Sequence, residues 1–412
     1  MSKTIGIIAE YNPFHNGHLY QLAKIREAYP DATIAVTMSG SFTQRGEAAI
    51  LDKWTRATTA VKNGADLVLE LPYAFACRSA ERFARGGVQS LAALGIDVLT
   101  YGAESRDLAP LQAAAACMDN PAFQSALHDR IADGASYAAA LSAELTSRTS
   151  LDEALLHAPN NILAIEYLRA LARYAPHITP LLIPRTGTAY HDDTLHGMFA
   201  SATAIRHALH TTPDWNVLRT VMPSSSFEAL KDAYTDNLPR QGLLLRPLLA
   251  RLLSMDGDTL RSIAGMNEGL EHRLLEKAQT ASSWDELISA VATSRYPQSR
   301  IARTLLHILT NFTSDMATSC DATGPRYLRV LAMNAVGAAL LHRTKKTARL
   351  PIITKTSHFL NRRELLRPID KLNPLQKMLL FDIRATQLRG LALPDASAAP
   401  LDFLTSPVYV KQ

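Results

Sequence analysis

Two histidines three positions apart, His15 and His18, flank an asparagine and a glycine in the stretch EYNPFHNGHLY. Imidazole can ligate a metal, donate to a phosphate or stand as ordinary polar surface. A metal site on a helix needs further carboxylate or histidine partners at helical spacing, as in H-E-x-x-H, and none accompanies this pair. The stretch YHDD, Tyr190–Asp193, likewise lacks the additional histidines that a metal-dependent HD hydrolase site requires. The phosphate reading has more behind it. An apolar run, Ile5–Ala9, precedes the turn and a helical pattern follows it, so both rings fall where a strand yields to a helix. A helix N-terminus has unpaired N–H groups and a partial positive charge, which favour phosphate. Gly17 removes a side chain where a base or ribose could approach.

A second stretch has the same character. FASATAIRHAL places Ser201, Thr203 and Arg206 at another helix start, turning hydroxyls, N–H groups and a guanidinium fork toward an anion. A plain N-cap followed by a surface arginine would use the same letters. Two such starts, each following a strand of one sheet, are hard to obtain by chance.

These residues need a scaffold that brings them together. Strand-like runs at Thr4–Ala9, Thr33–Met38, Leu67–Leu71, Asp97–Tyr101 and Ile178–Ile183 alternate with helical stretches that include Gly17–Ala28, Asp52–Asn63 and Ala80–Leu94. Short apolar strands separated by helices predict an α/β fold, a doubly wound parallel sheet covered on both faces. In such sheets ligands bind beyond the carboxyl ends of the strands. An alanine-rich helical insertion is expected over about 108–174. Past residue 210 the patterns are mainly α-helical, at Leu243–Met255, Gly269–Thr280, Trp284–Ala292, Gln298–Thr313 and Tyr327–Arg343, with LPIITK a further candidate strand. This divides the chain into an α/β domain at 1–210, which carries both phosphate-suited stretches, and a mainly helical domain at 211–412.

Composition sets bounds on the function. Of 412 residues 47% are apolar and 20% charged, ample for a core and unlike a disordered chain. A net charge of +5 suits a partner that carries phosphates. The three cysteines lie far apart, against a disulfide framework or a thiolate zinc site. No run reaches the roughly 18 apolar residues of a membrane span, and no hydrophobic leader precedes the first strand. A cytoplasmic protein without a membrane partner is expected.

FHNGH and SATAIR together resemble the H-x-G-H and S-S-T-x-I-R signatures of the nucleotidyltransferase superfamily, distantly shared with class I aminoacyl-tRNA synthetases; Ala202 stands where a second serine is usual. GIIAEYNPFHNGHLYQL, MSGSFTQRGEAAILDKWTRA, GADLVLELPYAFA, YGAES, PNNILAIEYLRAL and RYPQSRIARTLLHIL are together similar to the bacterial tRNA(Met) cytidine acetate ligase family, from the N-terminus to at least Arg343. Ser41, Thr43 and Ala164 depart from the family pattern and bear on local packing. The resemblance implies an ATP-dependent ligase. Acetate and ATP give acetyl-adenylate and pyrophosphate, and the acetyl group passes to N4 of the wobble cytidine of elongator tRNA(Met), without acetyl-CoA.

The resemblance also implies the site. ATP would lie against Ile7, Ile8, Ala9, Glu10, Tyr11, Asn12, Pro13, Phe14, His15, Asn16, Gly17, His18, Leu19 and Tyr20, with Gly102, Asn160, Asn161 and Arg185 completing it. His15 and His18 would be the catalytic pair on the phosphates, and Ser201, Thr203 and Arg206 would hold the β- and γ-phosphates. Magnesium is the expected companion of ATP, and no protein metal site is expected. The loop SGSFTQRGEAA, with Gln44, Arg45 and Glu47, either lines the acetate or cytidine pocket or is solvated. The tRNA would need a basic surface. Candidates are Arg295, Arg300 and Arg303; Arg343, Lys345, Lys346 and Arg349; and Arg362, Arg363, Arg367 and Lys371. Tyr296 could receive an unstacked base. The alternatives are a nucleotidyltransferase that adenylylates a small phosphorylated metabolite, and a non-catalytic RNA-binding protein that keeps a nucleotide fold.

Overall fold

The computed structural model describes residues 2–149, 151–156, 158–185, 198–236, 238–267 and 269–411; Tyr190–Asp193 lies outside them. Its centre is one sheet. The strands are β1 Thr4–Ala9, β2 Thr33–Ser39, β3 Leu67–Leu71, β4 Val98–Ala103, β5 Thr179–Pro184, β6 Leu328–Met333, β7 Ile352–Ile353 and β8 Val408–Tyr409. They run in the order β5-β4-β1-β2-β3-β6-β7, with β8 also on β6. β1 to β5 are mutually parallel, as expected from short apolar strands joined through helices. Alternate residues serve opposite faces. Ile5 and Ile7 join Ile34, Val36 and Met38 in the core beneath the helices Asn16–Ala28 and Lys53–Lys62, while Ile8 joins Leu69 and Tyr101 beneath Ala80–Leu94 and Pro159–Tyr174. Gly87 lets the helix Ala80–Leu94 lie close on β1, since a Cβ there would come within 2.6 Å of Ile8. Between β4 and β5 the chain passes through helices at Leu108–Met118, Pro121–Ala132, Tyr137–Arg148, Glu153–Leu156 and Pro159–Tyr174.

The second half is mainly helical, yet it completes the sheet. Tyr327–Arg343, expected as one helix, splits into β6, antiparallel to β3, and the helix Ala335–Thr344. LRVLAM is apolar throughout, and periodicity cannot tell such a run from a buried helix. Asn334 then caps the following helix by accepting the Gly337 N–H at 2.9 Å. LPIITK does contain a strand, the short β7.

A helix absent from the sequence reading, Pro374–Leu391, ties the last part of the chain to the first. Asp382 accepts the Tyr73 N–H at 2.7 Å, and Arg389 donates to the carbonyls of Ala49 and Ile50 at 2.6 and 3.0 Å. Beside it Lys53 and Arg329 share the carboxylates of Glu70 and Asp402 at 2.6–2.9 Å, two buried cations balanced by two buried anions.

One arginine fixes the loops at the carboxyl edge of the sheet. Asp52 caps the helix Lys53–Lys62 through the N–H groups of Trp54 and Thr55, both at 2.9 Å. Arg56 follows in the first turn and is only 1% exposed. Its guanidinium donates to the carbonyls of Glu10, Ser39, Gly40 and Leu51. Removal of this fork would leave buried carbonyls without donors. Arg56→Met should therefore destabilise the protein by about 3–5 kcal/mol. Arg349→Met, at an exposed position, should cost under about 0.5 kcal/mol. Urea unfolding midpoints of both variants check the contrast.

Candidate active site

The turn after β1 is shaped by hydrogen bonds to its own side chains. Tyr11 adopts a positive φ of 46°, and Asn12 Oδ1 accepts the Ile50 N–H at 2.7 Å. His15 is the N-cap of the helix Asn16–Ala28: its Nδ1 accepts the Gly17 N–H at 3.0 Å, and its own N–H donates to His18 Nδ1 at 3.2 Å. The rings lie over one another, tilted by 31°, with centroids 3.8 Å apart. Gly17 has a reason beyond room for a ligand: a Cβ there would sit 2.9 Å from His15 Cε1, so the folded-back imidazole requires glycine.

This arrangement settles the protonation of both rings. Burial, with Arg185 and Arg206 nearby, brings the His15 pKa down to about 3; burial, His15 and Arg185 hold His18 well below its ordinary value. Both are neutral at pH 7. With each Nδ1 accepting a backbone N–H, the proton of each ring is on Nε2, and each presents an N–H donor from that atom.

The pair opens on a cavity of about 530 Å³ at the carboxyl ends of β1, β4 and β5. That is far more than acetate needs and lies within the ~300–1,000 Å³ of cofactor-sized pockets. Of the residues expected from sequence, Ile8, Ala9, Glu10, Tyr11, Asn12, His15, Gly17, His18 and Tyr20 line it from the first turn. Gly102, Asn160, Arg185, Ser201, Thr203 and Arg206 line it from elsewhere. Two phosphate-suited helix starts therefore face one space. Ser201 caps the helix Ala202–His210 through the Ala204 N–H at 3.0 Å. Arg206 crosses to the first turn, donating to the Asn12 carbonyl at 2.9 Å and pairing with Glu47 at 2.7 Å.

Other expected residues do not line the cavity. Ile7 lies in the sheet core, Phe14 packs against both Tyr11 and His18, and Pro13 is buried beside it. Leu19 is exposed on the helix surface. Asn16 donates to the carbonyls of Met198 and Thr220, bracing the two motifs from behind. Asn161 supports the wall rather than forming it, accepting the Ser105 N–H and donating to the Leu155 carbonyl.

The loop carrying Gln44, Arg45 and Glu47 is not a solvated strap. It is a small hairpin, with Phe42 bridging Ala48, whose tip lines the cavity. Arg303, expected on an RNA-facing surface, turns inward and holds this hairpin through the Gln44 carbonyl at 3.1 Å. Tyr296 is also corrected: it is 8% exposed, with the Arg300 guanidinium 4.7 Å from its ring centre, and offers no open face to a base. Arg295 is exposed, and Arg300 donates to Asn267. Lys345 and Lys346 are exposed after the helix Ala335–Thr344, whose last residue bonds the Leu94 carbonyl just before β4 begins. They sit at the amino end of the sheet, opposite the cavity. Sequence reasoning missed Phe83, Tyr101, Tyr167 and Ser299 on the wall; only Tyr101, adjoining Gly102, and Ser299, adjoining Arg300, stood beside residues already singled out.

The parallel sheet, the capped histidine pair and the facing serine–arginine helix define a nucleotidyltransferase of the H-x-G-H class, and residues 2–400 match the family model described as HIGH Nucleotidyl Transferase. The chain is 41% identical to the tRNA(Met) cytidine acetate ligase of Syntrophotalea carbinolica and 37% identical to that of Syntrophomonas wolfei, with at least 98% of each chain covered. It also matches two crystal structures of Thermotoga maritima TmcAL over the whole of both chains at 30% identity. TM-scores are 0.90 for the apo form and 0.88 for the form bound with alpha-thio ATP. The chain belongs to the tRNA(Met) cytidine acetate ligase family.

The buried neutral His15 has a consequence for stability. Its folded pKa is below the unfolded value, so above about pH 6.5 neither state binds the proton. As pH falls from there toward about 3 only the unfolded chain takes it up, and stability is lost. His15→Asn keeps a capping side chain and removes this titration. The Tm of the variant relative to the unmodified protein should rise as pH is lowered from 7 to 5, equivalent to about 1–2 kcal/mol; calorimetry across that range measures it.

Proposed function

We propose that this protein activates acetate with ATP as acetyl-adenylate and transfers the acetyl group to N4 of the wobble cytidine of elongator tRNA(Met). The observation that carries the reading is the convergence of two neutral N–H-donating imidazoles, Arg185 and Arg206 on one cavity large enough for a nucleotide. Adenylation is in-line attack of an acetate oxygen on the α-phosphorus, with charge growing on the phosphoryl oxygens and the departing pyrophosphate. It needs positioning and donors more than a protein nucleophile. His15 and His18 supply fixed, uncharged donors whose ring orientation is set by the backbone before any ligand arrives. Ser201, Thr203 and Arg206 hold the β- and γ-phosphates. Gly102, where an added Cβ would come within 3.4 Å of the Arg185 side chain, keeps a side chain out of the far end, where the nucleoside would lie.

Among the described residues no group of three or more histidines, cysteines or acids could hold a metal ion. Magnesium would enter with the triphosphate, supplying charge neutralisation on its oxygens. Among those residues no helix is long and apolar enough to cross a membrane; with ATP and tRNA as substrates we place the enzyme in the cytoplasm. RNA contacts are proposed first at Arg295 and Arg300, beside Ser299 at the cavity wall, and second at Lys345 and Lys346.

The protein incubated with ATP, labelled acetate and elongator tRNA(Met) should deliver label to the nucleoside fraction of digested tRNA. With acetate alone it should exchange labelled pyrophosphate into ATP. His18→Ala should lower that exchange about 10²–10³-fold, while the lost capping acceptor costs only about 1–2 kcal/mol of stability and leaves the fold intact. Label that never reaches the tRNA would exclude the ligase reading. Arg295→Ala combined with Arg300→Ala should raise KM for tRNA and flatten its salt dependence. The Lys345→Ala, Lys346→Ala pair, beyond the opposite end of the sheet, should do so less.

A further inference from the structure

The cavity wall contains one group at odds with its ligands. Triphosphate, acetate, pyrophosphate and AMP are all anions, and His15, His18, Arg185, Ser201, Thr203 and Arg206 are suited to them. Glu10 is a carboxylate on the same wall, at the end of β1. It is partly exposed there, and among the described residues it joins no ion pair. One oxygen, Oε1, accepts the Gln44 N–H of the hairpin at 2.6 Å. An ionised carboxylate only accepts hydrogen bonds, so the second oxygen repels every anionic reactant and suits one that carries protons. On the proposed reaction, the reactant with N–H groups at the reacting centre is the exocyclic amine of cytosine.

Resting on that reading of the function, we infer that Glu10 takes the proton released when the acceptor amine is acylated. The N4 lone pair forms the C–N bond to the acetyl carbonyl carbon. The C–O bond to the adenylate phosphate breaks, and AMP leaves with its electron pair. The N–H pair stays on nitrogen and its proton passes to Glu10 Oε2, giving N4-acetylcytidine and a protonated carboxyl. The amine lone pair of cytosine is drawn into the ring, so the nitrogen is a poor nucleophile until its proton has somewhere to go.

The surroundings fit a proton acceptor. Burial raises the Glu10 pKa, against the lowering effect of the Gln44 N–H; Glu47 also raises it, while Arg206 and Arg56 lower it. Tyr167 and Cys77 are close enough for their own ionisation to feel Glu10. Arg56 and Arg206 do not neutralise the carboxylate directly. Arg56 donates to the backbone carbonyl of Glu10, and Arg206 pairs with Glu47. A more basic carboxylate is a better base, provided it is ionised at working pH.

The two half-reactions separate this role from nucleotide binding. Glu10→Gln keeps an amide oxygen for the Gln44 N–H and loses the basic site. Acetate-dependent pyrophosphate exchange reports adenylation, and single-turnover transfer of labelled acetyl to tRNA reports the second step. E10Q should lower transfer at least about 100-fold more than it lowers exchange. In the unmodified protein, transfer should fall on the acid side above the ordinary carboxylate pKa, with a limb that exchange lacks. That profile decides the matter even if E10Q does not fold. Equal losses in both steps, undiminished transfer in E10Q, or coincident acid limbs would overturn the assignment. Absence of exchange in the unmodified protein would instead remove the functional reading beneath it.

Discussion

The structure depends on guanidinium groups that bond to backbone carbonyls. An open parallel sheet leaves its carboxyl-end loops as irregular backbone, and their buried carbonyls need donors. Arg56 serves four of them, Arg389 two in the hairpin segment, Arg303 one at the hairpin tip and Arg206 one in the first turn. A guanidinium has five N–H donors in a rigid fork, so one side chain can fix several strands' ends at once. Burial lowers the pKa of Arg56, Arg303 and Arg389 to about 10, still well above neutrality. Of the four arginines, only Arg206 also reaches the cavity, and there it pairs with Glu47 as well.

The histidine pair shows how a capping interaction becomes a chemical one. Helix starts usually recruit serine, threonine or asparagine. Here an imidazole does the capping and a second imidazole answers from the third helical position. Each ring is held by one nitrogen and presents the other. Orientation, tautomer and neutrality follow from the same two hydrogen bonds.

Much of this was legible in sequence. Strand, turn and helix around His15 and His18 could be placed because Ile5–Ala9 is short and apolar and Gly17 opens a helical pattern. The convergence of Ser201, Thr203 and Arg206 on the same space followed from the rule that open parallel sheets bind at their carboxyl edge. Facing direction was not legible. Arg303 reads as one of three basic residues in a helix start, and only the hairpin carbonyl of Gln44, which its guanidinium meets at 3.1 Å, shows that it turns inward. Tyr296 and Asn161 were misplaced for the same reason: a residue near a site and a residue in it look alike until the tertiary contacts are drawn. β6 was hidden because a fully buried strand has no period of its own.

The helix Pro374–Leu391 and Asp402 belong to the final tenth of the chain, yet they hold Ala49, Ile50, Tyr73 and Lys53 near its beginning. On the ribosome the first five strands emerge long before these partners do. The carbonyls of Ala49 and Ile50, which lead out of the hairpin, therefore wait for a donor that is made some 340 residues later. Until then Arg303 can hold the hairpin tip while the segment behind it lacks its brace.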